Sequence, residues 1–202
     1  MDLCVLIIDD DIQRIKEGAL IWELEDKFGS DNIAFESDPN EAINYIEENL
    51  HKNIIILLDI QFPDKVMNGH EILSKIREIS ELIPVILWSA VSEDKETFSD
   101  FINNNAFGFL SKSATSEEML LMIDRAISYF KTSLDNTIED WIIQKDGDKD
   151  KPVYFTSEGK SYSLNQILNE IRTQTDVGKS FAKKLNELTI DLLLRNKETL
   201  ND

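Results

Sequence analysis

Residues 53–59, NIIILLD, place five apolar side chains in unbroken succession and end them on an aspartate. Successive side chains of a strand point to opposite faces of its sheet, so a strand that is apolar at every position is covered on both sides. Such strands belong to parallel sheets flanked by helices. Leu3–Ile8 (LCVLII) has the same character and also ends on acids, Asp9-Asp10-Asp11. Ile83–Trp88 (IPVILW) is a third apolar run. Asn32–Glu36 (NIAFE) and Ala106–Leu110 (AFGFL) read as two further strands.

Between the strands the apolar spacing is helical. Ile12–Phe28 carries Ile12, Ile15, Ala19 and Trp22 on one face, with Leu20, Leu24 and Phe28 beside them, and Gly29-Ser30 stops it. Asp38-Pro39 predicts a helix start, with Asp38 as cap, Pro39 at the first helical position and Ala42, Ile43 and Ile46 facing inward. Helices are also predicted over Gly69–Ile79, over Asp94–Asn103 with Phe98, Phe101 and Ile102 inside, and over Ser116–Phe130 with Met119, Ile123, Ala126, Ile127 and Phe130 on one face. Thr115 or Ser116 would cap the last of these. Five strands alternating with five helices predict an α/β fold, a doubly wound parallel sheet covered on both faces. Ligands of such sheets sit at the carboxyl ends of the strands. The loops after Ile8, Leu58, Trp88 and Leu110 are therefore the ones that carry chemistry.

The last third of the chain reads differently. Leu134–Ile143 either extends the preceding helix or forms its own, and Gln144–Lys151 (QKDGDKDK) reads as a linker or exposed turn. Val153–Phe155 and Ser161–Tyr162 bracket Thr156-Ser157-Glu158-Gly159 as a hairpin would. Ser163 and Gln166 have capping-box spacing for a helix over Leu164–Thr173. A final helix over Val177–Arg195 lines up Phe181, Leu185, Leu188 and Leu192. The expected division is 1–131 for the sheet domain, 132–152 for a helical extension and linker, and 153–202 for a small, mainly helical module.

Apolar residues make up 42% and charged residues 30% of the 202, which suits a folded chain and not a disordered one. The net charge is −18. Residues 1–133 hold 11 basic against 26 acidic side chains, and residues 134–202 hold 10 against 13. Neither part offers the cationic face that releases counterions from nucleic acid or binds anionic lipid. The longest apolar runs fall far short of the roughly 20 residues that span a bilayer, and the start of the chain does not resemble a signal peptide. The single cysteine, Cys4, has no partner for an internal disulfide. These features predict a cytoplasmic protein without membrane or nucleic-acid partners.

The candidate chemistry lies in Asp9, Asp10, Asp59, Ser89 and Lys112, each at or just beyond a strand end. Carboxylates held close repel one another unless a hard cation bridges them. Mg²⁺ takes oxygen ligands in octahedral geometry and keeps room for water and phosphate. A carboxylate can attack phosphorus and become an acyl phosphate, while a lysine and a metal offset charge on the equatorial oxygens. The plainer readings are that Asp9 and Asp10 cap the first helix, with Asp11 the better candidate for that role, and that Asp59 and Lys112 form an ordinary ion pair. Phe109 by type alone is a core residue. His51 and His70 have no companions at metal-ligand spacing. Val177-Gly178-Lys179-Ser180 lacks the earlier glycine and the preceding strand of a phosphate-binding loop, and reads as a helix start.

In order along the chain, IIDDD (Ile7–Asp11), LLDIQFP (Leu57–Pro63), NGHEIL (Asn68–Leu73), LWSA (Leu87–Ala90) and FGFLSKS (Phe107–Ser113) resemble the receiver domains of two-component response regulators. The resemblance covers about Met1–Lys131. It implies a CheY-like sheet of order 2-1-3-4-5 and Mg²⁺ or Mn²⁺ as cofactor. By it Asp59 is the phosphoacceptor and a metal ligand, Asp10 a direct ligand, Asp9 a ligand mostly through water, and the Gln61 backbone carbonyl a further ligand. Ser89 becomes the switch hydroxyl, Lys112 the phosphate partner and Phe109 the aromatic switch. The resemblance implies a signalling phosphoacceptor, not a turnover enzyme, with a histidine kinase or phosphotransfer protein as donor. The expected output is a downstream protein or a homodimer acting through residues 134–202. A DNA-binding regulator and a phosphorylation-independent pseudo-receiver are the alternatives. Two departures stand out: the Asp59–Gly69 loop is two residues longer than usual, and Ser113 follows the lysine where relatives carry proline.

Overall fold

The structure, a computed structural model, describes residues 2–63, 67–90 and 105–196. The helix expected over Asp94–Asn103, with Phe98, Phe101 and Ile102, lies outside the described residues, as does part of the Asp59–Gly69 loop. The chain divides into two compact units, residues 1–132 and 133–202.

In the first unit, β1 (Leu3–Ile8), β2 (Ile33–Glu36), β3 (Asn53–Leu58), β4 (Val85–Ser89) and β5 (Gly108–Ser111) form one parallel sheet in the order β2-β1-β3-β4-β5. The last five residues of both β1 and β3 are buried, as their unbroken apolar runs require. Alternation then sorts their side chains into two cores. Leu6, Ile8, Ile54, Ile56 and Leu58 face one side, where α3 (Pro39–Glu48) and α4 (Gly69–Ile79) contribute Ala42, Ile46, Ile72, Leu73 and Ile76. Val5, Ile7, Ile55, Leu57, Ile86 and Trp88 face the other, against α2 (Ala19–Phe28) and α5 (Ser116–Thr132), which supply Ile21, Leu24, Met119, Ile123, Ala126 and Phe130. Fully burying each large aliphatic side chain is worth about 1.5–3 kcal/mol, so the two cores hold the sheet between its helices.

Asp38 caps α3, accepting from the Asn40 amide at 2.7 Å, with Pro39 at the first turn. Thr115 takes the capping role at α5, where Glu118 reaches back to its amide at 2.8 Å. The single helix expected over Ile12–Phe28 is instead two, α1 (Ile12–Lys16) and α2. Gly18 separates them, with extended backbone (φ −75°, ψ 140°) and an amide bonded to Ile15 O at 2.9 Å. Glycine costs about 1 kcal/mol in a helix interior, so the chain breaks there at little loss. The break also changes the phase of α2 relative to α1. Trp22, expected on the inner face, is 69% exposed, while Ile21 and Leu24 are buried.

The second unit contains α6 (Leu134–Gln144), a hairpin of β6 (Pro152–Phe155) and β7 (Ser161–Ser163), α7 (Leu164–Arg172) and α8 (Asp176–Asn196). Ser163 and Gln166 form the capping box of α7. Arg172 Nε donates to Glu139 at 2.6 Å and Gln174 Nε2 to Asp135 at 2.9 Å, joining the α7 end to α6. Residues 145–151 are tied down by several bonds: Lys149 Nζ donates to Ile143 O at 2.7 Å, the Asn165 amide to Lys149 O at 3.3 Å, and Asn165 Nδ2 to Asp150 at 2.8 Å. Gly178 starts α8 so close to the Glu170 carbonyl that a Cβ there would collide with it.

Candidate functional site

The sheet carries its acids past the strand ends on continuing hydrogen bonds. The Asp9 amide donates to Glu36 O at 3.2 Å, the Asp59 amide to Ile8 O at 2.9 Å and the Lys112 amide to Ser89 O at 2.7 Å. Pairing of Ser89 with Ser111 brings the last two strands to a common end, with Ser89 in the last position of β4 and fully buried.

Lys112 Nζ lies 2.5 Å from Asp9 Oδ2 and 2.8 Å from Asp59 Oδ2. One carboxylate oxygen from each of Asp9, Asp10 and Asp59 falls within 4.8 Å of the others. Asp9 is completely buried and Asp59 nearly so, while Asp10 is exposed. The remaining oxygens are locally tied: the Asp11 amide donates to Asp9 Oδ1 at 2.9 Å and the Gln61 amide to Asp59 Oδ1 at 3.2 Å. Burial pushes the Asp9 carboxyl above the ordinary carboxylate range, more than Lys112 and the Asp11 amide pull it down. Burial works against the Lys112 ammonium too, but its contacts with Asp59 and Asp9 together outweigh that and hold its pKa above the usual lysine value.

The donor set fits a hard divalent cation. All three side chains offer oxygen, the ligand type Mg²⁺ and Mn²⁺ take. Oxygens sharing one octahedral ion at ~2.1 Å are about 3.0 Å apart when adjacent and about 4.2 Å when opposite, a little tighter than the observed group. Asp9 Oδ2 is buried, and the charged group that faces it is the Lys112 ammonium at 2.5 Å.

Of the residues singled out from sequence, Asp9, Asp10, Asp59 and Lys112 are gathered at one point. Gln61 stands beside them through its amide contact with Asp59. Ser89 is linked to Lys112 through the backbone. Phe109 is half-buried and packs against the core beneath α3 and α4. Asp11 is the residue before α1 but makes no side-chain capping bond. Among the described residues every peptide is trans, Lys112–Ser113 included.

Three features of the site go beyond the roles that the sequence assigns. Gly69 begins α4 pressed against the loop that leaves Asp59, and its amide donates to Ile60 O at 3.2 Å. A Cβ on Gly69 would lie 2.7 Å from Ile60 Cα and 3.0 Å from Asp59 O. Asn68 and Glu71 form a capping box that fixes this start; the Asn-x-x-Glu spacing in NGHEIL is the signal that could have found it. The third feature is a cavity of about 330 Å³ beside Lys112, lined by Arg14, Gly18, Ile21, Trp88 and Ala90 among others. It adjoins the break between α1 and α2. Trp88 also holds Lys112 Nζ 5.8 Å from its ring centre.

Known proteins share this fold. A region of 132 residues is 30% identical to the DNA-binding transcriptional regulator NtrC of Proteus hauseri, covering 63% of this chain and 25% of that protein. Over 112 residues the chain is 33% identical to the autoinducer 1 sensor kinase/phosphatase LuxN of Vibrio harveyi, covering 55% of this chain and 12% of LuxN. The chain thus spans a quarter or less of the length of these relatives. Among solved structures, a CheY-like receiver domain protein from Methanospirillum hungatei superposes with a TM-score of 0.56 at 22% identity, over 66% of this chain and all of that one. The receiver domain of NtrX from Brucella abortus gives 0.53 at 21% identity, over 64% and 99%. No helix among the described residues is long and apolar enough to cross a membrane. Residues 5–124, more than half of the chain, match the response regulator receiver domain, and it is to this family that the chain belongs.

Proposed function

We propose that Asp59 accepts a phosphoryl group from a phosphohistidine on a sensor kinase or phosphotransfer protein, and that residues 133–202 report the change to a protein partner. The observation that carries this reading is Lys112 Nζ standing within 2.8 Å of both Asp9 and Asp59, with the Asp10 carboxylate in the same cluster. A carboxylate oxygen of Asp59 attacks phosphorus in line with the departing imidazole nitrogen. The P–O bond forms as the P–N bond breaks, and the electron pair returns to the imidazole.

The acids that would hold Mg²⁺ or Mn²⁺ are Asp10 and Asp59 directly and Asp9 through water, with the Gln61 carbonyl as a further ligand. When bound, the ion neutralises charge on the transferring phosphoryl oxygens. Lys112 pairs with the phosphoryl group that arrives on Asp59, exchanging a carboxylate partner for a phosphoryl oxygen at nearly the same place. Ser89 donates its hydroxyl to a second phosphoryl oxygen, and Phe109 changes rotamer with it. The chain is a phosphoacceptor whose own residues assist its phosphorylation, not a turnover enzyme. Its acidic charge directs the output toward protein and away from nucleic acid.

Intact-mass analysis after treatment with acetyl phosphate and Mg²⁺ tests this. The wild-type chain should gain the mass of one phosphoryl group, and Asp59→Asn should gain none. Equal gain by both forms would refute the assignment.

A further inference from the structure

Asp9, Asp59, Lys112 and Trp88 share one face of the sheet, and strand alternation is the reason. Ile7, Leu57, Leu110 and Trp88 all belong to the core on the side of α2 and α5. Residues two apart along a strand point the same way. Asp9, Asp59 and Lys112 stand two beyond Ile7, Leu57 and Leu110, and their amides extend the ladders. They therefore continue that face past the strand ends. Trp88 pairs in register with Leu110, and it is the last side chain that β4 gives to this face. The indole is buried, 6% exposed, and its ring centre lies 5.8 Å from Lys112 Nζ.

The ammonium thus has two kinds of neighbour. Asp9 Oδ2 at 2.5 Å and Asp59 Oδ2 at 2.8 Å are charged groups. The indole offers only the negative face of its quadrupole, a weaker attraction. While both carboxylates face Lys112, the ring adds little. The balance changes when the acids are put to use. Asp59 gives an oxygen to phosphorus, and Asp9 and Asp59 both belong to the cluster that fits a divalent cation. Carboxylates that turn to such a cation loosen their hold on Lys112, and the cation's own charge repels the ammonium. The quadrupole of the ring is not neutralised in this way. Lys112 also borders the cavity of about 330 Å³ lined by Asp11, Arg14 and Gly18 among others. Its flexible four-carbon stem gives it room to leave the pocket on that side.

We propose that Trp88 is a positioning residue for Lys112. Its ring face seats the ammonium when the carboxylates are engaged elsewhere, keeping it out of the cavity and beside the place where the phosphoryl group arrives. The seat is ready in advance, because the core has already fixed the indole. The inference rests on the reading of Lys112 as the phosphoryl partner, but the seat itself can be observed with no phosphodonor present.

NMR of the full chain with lysine isotope-labelled at Cε tests it. Trp22→Phe and Trp141→Phe, both at exposed sites, leave Trp88 as the one indole. The Lys112 signal is the one that Lys112→Arg removes. A methylene over an aromatic face is shifted upfield by the ring current. That shift should grow on adding Mg²⁺. The growth should shrink stepwise as Trp88 is replaced by mono-, di- and trifluorotryptophan, which drain the ring face of charge and nearly keep its size. In the rate of mass gain from acetyl phosphate, Trp88→Phe should stay within about threefold of wild type and Trp88→Leu should slow about tenfold. Phenylalanine and leucine remove similar volume, so a role in packing alone would slow both alike. Should either variant fail to fold by circular dichroism, the fluorinated chains carry the rate comparison. A Lys112 shift that does not grow with Mg²⁺, growth that ignores fluorination, or equal rates for folded Trp88→Phe and Trp88→Leu overturns the proposal. If no chain gains phosphoryl mass, the phosphoacceptor reading fails and the NMR shifts still decide whether the seat exists.

Discussion

Gly69→Ala should damage the protein even though alanine is the better helix former. The residue opens α4, and its φ lies outside the left-handed region, so the conflict is purely one of space. A Cβ would approach Ile60 Cα to 2.7 Å and Asp59 O to 3.0 Å, where ordinary contact begins near 3.4 Å. The helix start and the Asp59 loop must separate by roughly 0.5–1 Å to restore van der Waals contact. Inserting a methyl into a packed site costs about 1–3 kcal/mol. The gain in helix propensity is at most about 1 kcal/mol, so a net loss of roughly 0–2 kcal/mol is expected. The displacement falls on the segment that holds Asp59 against Lys112. A misplacement of about 1 Å at a reacting group can cost about 100-fold, so phosphorylation by acetyl phosphate should slow by roughly 10–100-fold. Urea unfolding and the time course of intact-mass gain measure the two effects. A variant that resists urea better than wild type and reacts at the wild-type rate would show that helix propensity prevails, and the steric reasoning would be wrong.

Two further outcomes are expected. Trp88 lies beside the Lys112 ammonium, so its fluorescence should change when Mg²⁺ and a phosphodonor are added and Lys112 moves. The signal is isolated in a chain carrying Trp22→Phe and Trp141→Phe, and an unchanged spectrum in a chain that gains phosphoryl mass would refute it. Burial raises the Glu139 carboxyl above its usual range despite the Arg172 contact. A raised acid contributes stability that is present below its unfolded value, about 4.3, and lost as pH rises through the folded one. The stability of Glu139→Gln relative to wild type should therefore improve as pH rises through that window and then level off. Denaturant titrations at a series of pH values follow it; a gap moving the opposite way would mean that Arg172 outweighs burial.

The strands are legible in the sequence because burial on both faces leaves a mark that few other structures share. NIIILLD and LCVLII read as interior strands, and their alternation with helices points to a covered parallel sheet, whose strand order is what the resemblance to receiver domains implies. The acids are legible for a related reason: Asp9 and Asp59 interrupt apolar runs at the edge where such sheets present their ligands. Gly18 misleads because the apolar spacing through Ile12–Phe28 continues across it. Periodicity registers where side chains recur, not whether the backbone between them is continuous. The role of Gly69 is hidden because it depends on the space between a helix start and the loop leaving Asp59. The α1–α2 cavity is hidden because it is a space, which no residue spells. In the second unit the capping box, the hairpin and the helix lengths are local and visible, whereas the closeness of Gly178 to the Glu170 carbonyl emerges only in the fold.

The amides of Asp9, Asp59 and Lys112 are bonded to neighbouring strands and not to loops. The pocket is thus welded to its platform, and the outer helices can drift in sequence without detuning it except where, as at Gly69, they press on the loop that leaves Asp59. The platform itself has no such latitude. A single inserted residue between Leu3 and Asp9, or between Asn53 and Asp59, would turn the acid to the opposite face of the sheet and exchange the two cores at one stroke.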